Sequence, residues 1–207
     1  MPTTKPESTL SGKRGEYLPH WTYDKSTYHI CFRLNDSMPG AVLESYKTER
    51  ATILDNAQRH GRELTDNEVI QLQRLFSSKV DEYLDKGSGN CYMKDEEIAE
   101  IVASTLNFFD NTRYYLHAWV VMPNHVHVIV EPFAGFELFK IIHSWKSFSA
   151  NKINKLLGLQ GKLWHSDAYN HIIRSQKAYD YLMEYVRSNP ERAGLKGWKF
   201  KYKREQD

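Results

Sequence analysis

The 207-residue sequence predicts an α+β sandwich in which helices cover a central antiparallel sheet. The first observation is the order of its segments, which is βαββαβ when three early helices are counted as one enlarged crossover. The second is the very short connection Pro123-Asn124, which joins two alternating apolar runs and therefore predicts an antiparallel hairpin. Together they predict a ferredoxin-like sandwich that carries one additional C-terminal helix.

The first half of the chain supplies one strand and the helical crossover. Residues 26–34, STYHICFRL, alternate in polarity and are rich in β-formers, which predicts a strand. Helical spacing of apolar residues is found over 41–60, 65–85 and 95–109. Thr65 and Glu68 have capping-box spacing at the start of the second helix. We therefore expect residues 41–110 to form an enlarged helical crossover.

The second half supplies the hairpin, a basic helix, a strand and the last helix. The segments are strands at 114–122 and 125–131, a helix at 136–157, a strand at 168–174 and a final helix that begins after Ser175. Ser175 is a suitable N-cap. The last helix is expected to end at Asn189, because a residue that precedes a proline disfavours the helical conformation.

Composition and length predict a single domain with polar ends. We expect a flexible lead-in at 1–20, one folded domain at 21–198 and a basic tail at 199–207. No apolar run approaches the roughly 18–20 residues of a membrane span, and the N-terminus lacks the apolar core of a secretory signal. Cys31 and Cys91 have no close partners in sequence, so a reduced, cytoplasmic protein is expected.

Charge is distributed unevenly along the chain. Residues 1–139 hold 14 Lys and Arg against 20 Asp and Glu, a net charge of −6, whereas residues 140–207 hold 14 against 6, a net charge of +8. A basic C-terminal third is typical of proteins that bind a polyanion, most often nucleic acid, although a solvated basic surface is the alternative.

The strand HVHVIVE places two histidines on one face. Side chains alternate across a strand, so His125 and His127 share a face with Ile129, and the intervening valines belong to a core. Two imidazoles one pleat apart can bind one metal ion if another element supplies a third ligand. The alternative is a pair of histidines on a half-exposed strand without metal.

The last helix offers a second chemical element. Ala178, Leu182, Tyr185 and Asn189 lie on one stripe, which puts Tyr185 one turn before Asn189. A tyrosine hydroxyl can attack phosphorus, and an amide oxygen can bind a metal. Spacing alone does not select this tyrosine, because the same region contains several others and an aromatic at helical spacing is usually a core residue.

Four segments in order carry a family resemblance. They are TYHICFRLNDSMPG, AWVVMPNHVHVIVEP, HSWKSFSANKINKLLG with GKLWHSDAYNHIIRS, and YLMEYVRSNPERAGL. The chain resembles the single-tyrosine HUH transposases over about residues 18–198, and in particular their branch of REP-associated tyrosine transposases.

This resemblance implies the roles of four residues. The metal-binding histidines of the family fall on His125 and His127, its nucleophile on Tyr185 and its third ligand on Asn189. It implies cleavage and rejoining of single-stranded hairpin DNA from palindromic repeats, with Mg²⁺ or Mn²⁺, through a covalent 5′-phosphotyrosine. A monomer is expected in this branch, whereas relatives that move themselves act as dimers.

One position departs from the family pattern. Asn170 stands where relatives often have an acidic residue after the Trp164 motif, so an acid that could help to bind DNA or metal is absent. The alternative is therefore a catalytically silent regulatory protein that binds DNA hairpins. A zinc hydrolase is a third class, but the chain has neither an HExxH nor a Cys-x-x-Cys motif.

Basic and aromatic residues near these motifs are candidates for DNA contacts. Cationic side chains would bind phosphates, and indole rings would stack on unpaired bases. The candidates are Lys140, Trp145, Lys146, Lys152, Trp164, Arg174 and Arg187. For each of them an ordinary surface or core role is the alternative.

Overall fold

The computed structural model describes residues 14–15, 18–19, 26–62 and 64–204. Most of the lead-in expected at 1–20 lies outside these residues. The part of it that is described is a short antiparallel pair, β1 (Arg14–Gly15) with β2 (Leu18–Pro19).

The main sheet has five antiparallel strands. They are β3 (Tyr28–Arg33), β4 (Tyr114–Val121), β5 (His125–Pro132), β6 (Tyr169–Ile172) and β7 (Lys201–Lys203). Their spatial order is β6-β3-β5-β4-β7. The sequence predicts four of these strands, which are β3, β4, β5 and β6 in chain order. Across the sheet they lie in the order fourth, first, third and second, which confirms the ferredoxin-like α+β sandwich.

The helices follow the predicted order closely. They are α1 (Gly40–Arg59), α2 (Asp66–Phe76), a π-helical turn (Ser77–Asp81), α3 (Glu82–Asp85), a 3₁₀ turn (Tyr92–Lys94), α4 (Glu96–Asn107), α5 (Leu138–Leu157) and α6 (Gln176–Arg192). Thr65 and Glu68 form the expected capping box, because each backbone N–H donates to the other side chain.

The two faces of the sheet bury different sets of residues. One face carries Ile30, Val126 and Val128, which pack with residues of α4 and α5 in the largest apolar cluster. The other face carries Cys31, His127 and Ile129, and is covered by α6 and by the helical crossover. The functional candidates lie on this second face, which is called the site face below.

The C-terminal region differs from the prediction in two respects. Helix α6 does not end at Asn189 but continues through Pro190 to Arg192, and the Pro190 carbonyl accepts a hydrogen bond from the Leu195 N–H. Pro190 lies in the last turn of α6, so its missing N–H and its ring affect only the end of the helix. Residues 201–203, expected in a basic tail, pair with β4 as a fifth strand instead.

Candidate active site

Strand β5 places both predicted histidines in the interior. His125 and His127 are each 0% exposed, and their registers opposite Arg33 and Cys31 of β3 put them on the site face. Their alternation with Val126 and Val128 is the strand pattern that the sequence predicts. The Nε2 atoms of both histidines are buried and have no hydrogen-bond partner.

The orientation of His125 is determined by Asn124. The Asn124 amide nitrogen donates to the carbonyls of Leu84 and Ser88, so its oxygen faces His125. That oxygen lies 2.7 Å from His125 Nδ1 and accepts the ring hydrogen. The remaining nitrogen, Nε2, therefore carries a free lone pair in the neutral ring, as metal ligation requires.

His127 has a comparable partner in His29. Nδ1 of His127 and Nε2 of His29 are 3.1 Å apart, and the two rings are stacked. One of these nitrogens must donate to the other. When His127 is the donor, its Nε2 is free to act as a ligand.

Helix α6 brings Tyr185 and Asn189 to the same place. Tyr185 is 6% exposed, and its ring centre lies 5.5 Å from that of His127. Asn189, one turn later, is fully buried, and neither its amide oxygen nor its nitrogen has a partner. The four residues that the resemblance selects, two on β5 and two on α6, thus lie on the site face.

Two carboxylates from the crossover also reach this site, which the sequence analysis did not predict. Asp81 Oδ2 accepts a 2.7 Å hydrogen bond from the Tyr185 hydroxyl, and Asp81 Oδ1 lies 3.9 Å from His127 Nε2. Asp85 Oδ1 lies 3.7 Å from His125 Nε2. Their spacing of four residues in DEYLD, which puts them on one helix face, was the signal available in the sequence.

Burial controls the charge state of the site. It lowers the pKa of His125 to about 3, and burial together with nearby His125 and Arg192 holds the pKa of His127 well below its usual range. Burial raises the pKa of Asp85 to about 6 and that of Asp81 well above its usual range. Burial, reinforced by Asp81, also raises the pKa of Tyr185 strongly. Both imidazoles are therefore neutral at neutral pH, and the tyrosine is a phenol.

The donor atoms fit a divalent cation. The site gathers unpartnered imidazole nitrogens, an amide oxygen and carboxylate oxygens, which together suit Mn²⁺ or Mg²⁺. Cys31, Asp81 and His127 also place ligand atoms within 4.8 Å of one another. Burial, with Asp81 nearby, raises the pKa of the Cys31 thiol well above its usual range, so the thiolate that a soft metal prefers is disfavoured.

The structure corrects the prediction for both tryptophans. Trp145 is 2% exposed and its indole donates to the Tyr114 hydroxyl, while Trp164 is 5% exposed and donates to Ser149. Both belong to the large core cluster, so neither ring is available for stacking on a base. Aromatic residues at helical and strand spacing were core residues here.

The basic candidates are in different environments. Lys146 is half-buried and donates to the carbonyls of His165 and Ser166, so it holds a loop. The other four candidates, Lys140, Lys152, Arg174 and Arg187, are exposed. Lys140 forms an ion pair with Glu137, and Arg187 forms one with Glu184. The Lys152 ammonium lies over the Phe148 ring. Arg192, which was not predicted, is exposed beside the site with its guanidinium carbon 4.8 Å from the Tyr185 ring centre.

Asn170 lies away from the two histidines of β5. It pairs with Ile30, whose side chain belongs to the opposite face of the sheet, whereas its neighbour Tyr169 pairs with Cys31 on the site face. An acidic residue at this position would therefore face away from the histidine pair.

Within the described residues, no helix combines the length and apolar character needed to cross a membrane.

Comparison with known proteins agrees with the sequence resemblance. The family profile described as "Transposase IS200 like" matches residues 91–189, which include both histidines, Tyr185 and Asn189. No curated protein matches the chain.

Two solved structures are similar to this chain. The first is a REP-associated tyrosine transposase bound to a REP hairpin, at 15% identity and a TM-score of 0.49, with 93% of this chain and 82% of that chain covered. The second is a presumed transposase from Deinococcus radiodurans R1, at 14% identity and a TM-score of 0.36, with 86% and 97% covered. By the profile match, residues 91–189 of this chain are similar to the IS200-like transposase family.

Proposed function

We propose that this protein cleaves and rejoins single-stranded DNA, with Tyr185 as the nucleophile and a Mg²⁺ or Mn²⁺ ion held by His125, His127 and Asn189. One observation carries the proposal. The buried Nε2 atoms of both histidines and the Asn189 amide lack partners on the same face of the sheet as Tyr185. Buried polar atoms without partners are costly, so their gathering around a tyrosine favours a ligand site.

Cleavage is a transesterification at phosphorus. The Tyr185 oxygen forms a bond to the phosphorus, and the bond from phosphorus to the 3′ oxygen breaks. The 3′ oxygen takes up a proton from solvent, so the products are a 5′-phosphotyrosine and a free 3′-hydroxyl. The Tyr185 proton leaves toward Asp81 Oδ2, which already accepts its hydrogen bond. A later attack by a 3′-hydroxyl reverses the step and reseals the strand without another energy source.

The remaining residues hold and orient the site. When bound, the cation supplies Lewis acidity at the non-bridging phosphate oxygens. Asn124 keeps His125 in the tautomer that leaves Nε2 free, and His29 supports His127. Arg192, exposed beside the Tyr185 ring, stands where it can attract the phosphate of an incoming strand.

Hairpin DNA is the proposed substrate class. Support comes from the ordered motifs shared with REP-associated transposases and from the net charge of +8 over residues 140–207. We propose palindromic chromosomal repeats as the source of the hairpins, a monomer as the active form and the cytoplasm, at the nucleoid, as the place of action.

A nicking assay with paired histidine variants tests the proposal. His127→Ala should abolish Mn²⁺-dependent cleavage of a labelled hairpin oligonucleotide while hairpin binding stays within about twofold, because the lost group is a ligand. His143→Ala is the control, since His143 is exposed on α5. Cleavage that persists in His127→Ala would contradict the metal assignment.

One observation favours the second candidate, a silent hairpin-binding protein. Tyr185 is only 6% exposed, and Asp81 occupies its hydroxyl. Little of the Tyr185 side chain is therefore accessible to a phosphodiester in this structure. A silent protein would bind hairpins with an affinity that depends on salt. It would form no covalent adduct with DNA, whichever metal is added.

A further inference from the structure

We propose that Asp81 and Asp85 are two further ligands of the divalent cation, so that the helical crossover forms part of the metal site. The inference rests on the proposed function, since it concerns the same cation as His125 and His127. It assigns a role to the crossover segment that carries Asp81 and Asp85.

The first argument is the pairing of acceptor atoms. His125 donates through Nδ1 to Asn124, so its Nε2 presents a lone pair, and Asp85 Oδ1 presents another 3.7 Å away. Asp81 Oδ1 lies 3.9 Å from His127 Nε2, which presents a lone pair when His127 donates through Nδ1 to His29. All four atoms are buried and without partners. Two facing acceptors repel each other unless a positive charge lies between them.

The second argument is distance. Oxygen ligands lie about 2.0–2.6 Å from Mg²⁺ or Ca²⁺, so two neighbouring ligands of one ion are roughly 3–4 Å apart. The two histidine-to-carboxylate separations, 3.7 and 3.9 Å, lie in this range. Asp81 therefore lies at a bridging distance from His127, and Asp85 lies at a bridging distance from His125.

The third argument is ligand chemistry. Two neutral imidazoles and an amide form an uncharged set, which attracts a hard cation such as Mg²⁺ only weakly. Asp81 and Asp85 add negative charge and hard oxygen atoms, which favour Mg²⁺ and Mn²⁺. Asp81 is also placed to link the cation to the nucleophile, because its other oxygen accepts from Tyr185.

Mn²⁺ binding to the full, metal-stripped chain without DNA tests this inference, measured by titration with electron paramagnetic resonance. Asp81→Asn and Asp85→Asn should each raise the Mn²⁺ dissociation constant about tenfold or more, because each removes a charged ligand. Glu82→Gln is the matched control. It removes an exposed carboxylate from the same segment and should change the constant less than about twofold.

Thermal unfolding separates a ligand role from damage to the fold. In chelator, Asp85→Asn should unfold at the wild-type temperature or above it, because it removes a charge whose Oδ1 is buried without a partner. Its Mn²⁺-induced rise in unfolding temperature should shrink. A lower unfolding temperature in chelator with an unchanged Mn²⁺-induced rise would instead indicate a structural role and overturn the inference.

His127→Ala distinguishes the two levels of the proposal. If His127→Ala weakens Mn²⁺ binding but neither aspartate variant does, the inference about the crossover is wrong and the proposed function stands. If His127→Ala binds Mn²⁺ as the wild type does, the proposed metal site itself is wrong.

Discussion

The Tyr185 hydroxyl donates a 2.7 Å hydrogen bond to Asp81, a residue 104 positions earlier in the chain. The proposed nucleophile on the last helix is thus held by the helical crossover that follows the first strand of the sheet. Since Asp81 also faces His127, one carboxylate connects the tyrosine with the histidine pair. The crossover is therefore directly involved in the candidate site.

Asn124 should act through His125. Asn124→Ala removes the acceptor for His125 Nδ1 and the donors to the Leu84 and Ser88 carbonyls. We expect Mn²⁺ affinity to fall about 10–100-fold, the usual effect of losing a hydrogen bond that orients a ligand. Asn107→Ala, which removes hydrogen bonds to Trp119 and Ala103, should leave the affinity unchanged. Equal losses of affinity in the two variants, measured by titration, would refute a specific role for Asn124.

Arg192 should contribute more to DNA binding than Arg187. Arg192 is exposed beside Tyr185, whereas Arg187 is paired with Glu184. We expect Arg192→Ala to weaken hairpin binding several-fold and to reduce the slope of log affinity against log salt by about 0.7–0.9, as for one lost phosphate contact. Arg187→Ala should change the slope little. Fluorescence anisotropy at several salt concentrations checks both, and the opposite ranking would contradict this view of the site entrance.

Trp164 should matter for stability and not for stacking. Its ring packs edge-to-face on Phe32, with ring centres 4.9 Å apart, and its indole donates to Ser149. Trp164→Ala should lower the free energy of unfolding by about 3–5 kcal/mol, as for other buried aromatic truncations. Phe148→Ala is the control, because Phe148 is 49% exposed. Urea unfolding measures both, and a loss below about 1 kcal/mol in Trp164→Ala would contradict the core assignment.

Stability in chelator should decrease as the pH falls below about 6.5. Six described histidines have a pKa lowered by burial, namely His29, His117, His125, His127, His165 and His171. In the unfolded chain they bind protons near pH 6.5, whereas in the folded chain His117, for example, does so only near pH 4. The unfolded state therefore binds more protons in this window and is favoured as the pH falls.

The buried carboxyls act in the opposite direction. Burial raises the pKa of Asp85 to about 6, so the folded state binds its proton between about pH 6 and pH 4 and gains stability there. Burial also raises the pKa of Asp81, which acts in the same direction. Because six histidines have a lowered pKa and only these two of the described carboxyls have a raised one, we expect a net loss of stability as the pH falls. Urea unfolding at about pH 7.5 and about pH 5 checks the sign, and greater stability at the lower pH would show that the carboxyls dominate.

Local patterns predicted most of the sheet and the two elements that carry the site. Alternation in β5 and the three- and four-residue spacing in α6 depend only on neighbouring residues, and both were correct. Strand β7 was missed because a three-residue strand has little periodicity of its own and is formed by pairing with β4. The predicted end of α6 at Asn189 was wrong, because the helix continues to Arg192. The preference of a residue before proline for non-helical backbone is only local, and it was overridden here.

The contribution of the crossover could not be predicted in the same way. Residues 65–85 read as an ordinary amphipathic helix, and the sequence gives no measure of which face meets β5. In the structure a π-helical turn at Ser77–Asp81 interrupts that helix just before α3. Such turns are frequent at functional sites. The position of Asp81 beside Tyr185 depends on long-range packing.

Covalent capture of DNA on Tyr185 tests the central claim most directly. A hairpin oligonucleotide labelled downstream of the cleavage site, drawn from repeats beside the gene, is incubated with the protein and Mn²⁺ and then denatured. The account predicts a labelled protein band with wild type and none with Tyr185→Phe, while Tyr181→Phe, which alters an exposed tyrosine of the same helix, keeps the band. No band with wild type, or a band that persists in Tyr185→Phe, would contradict the account.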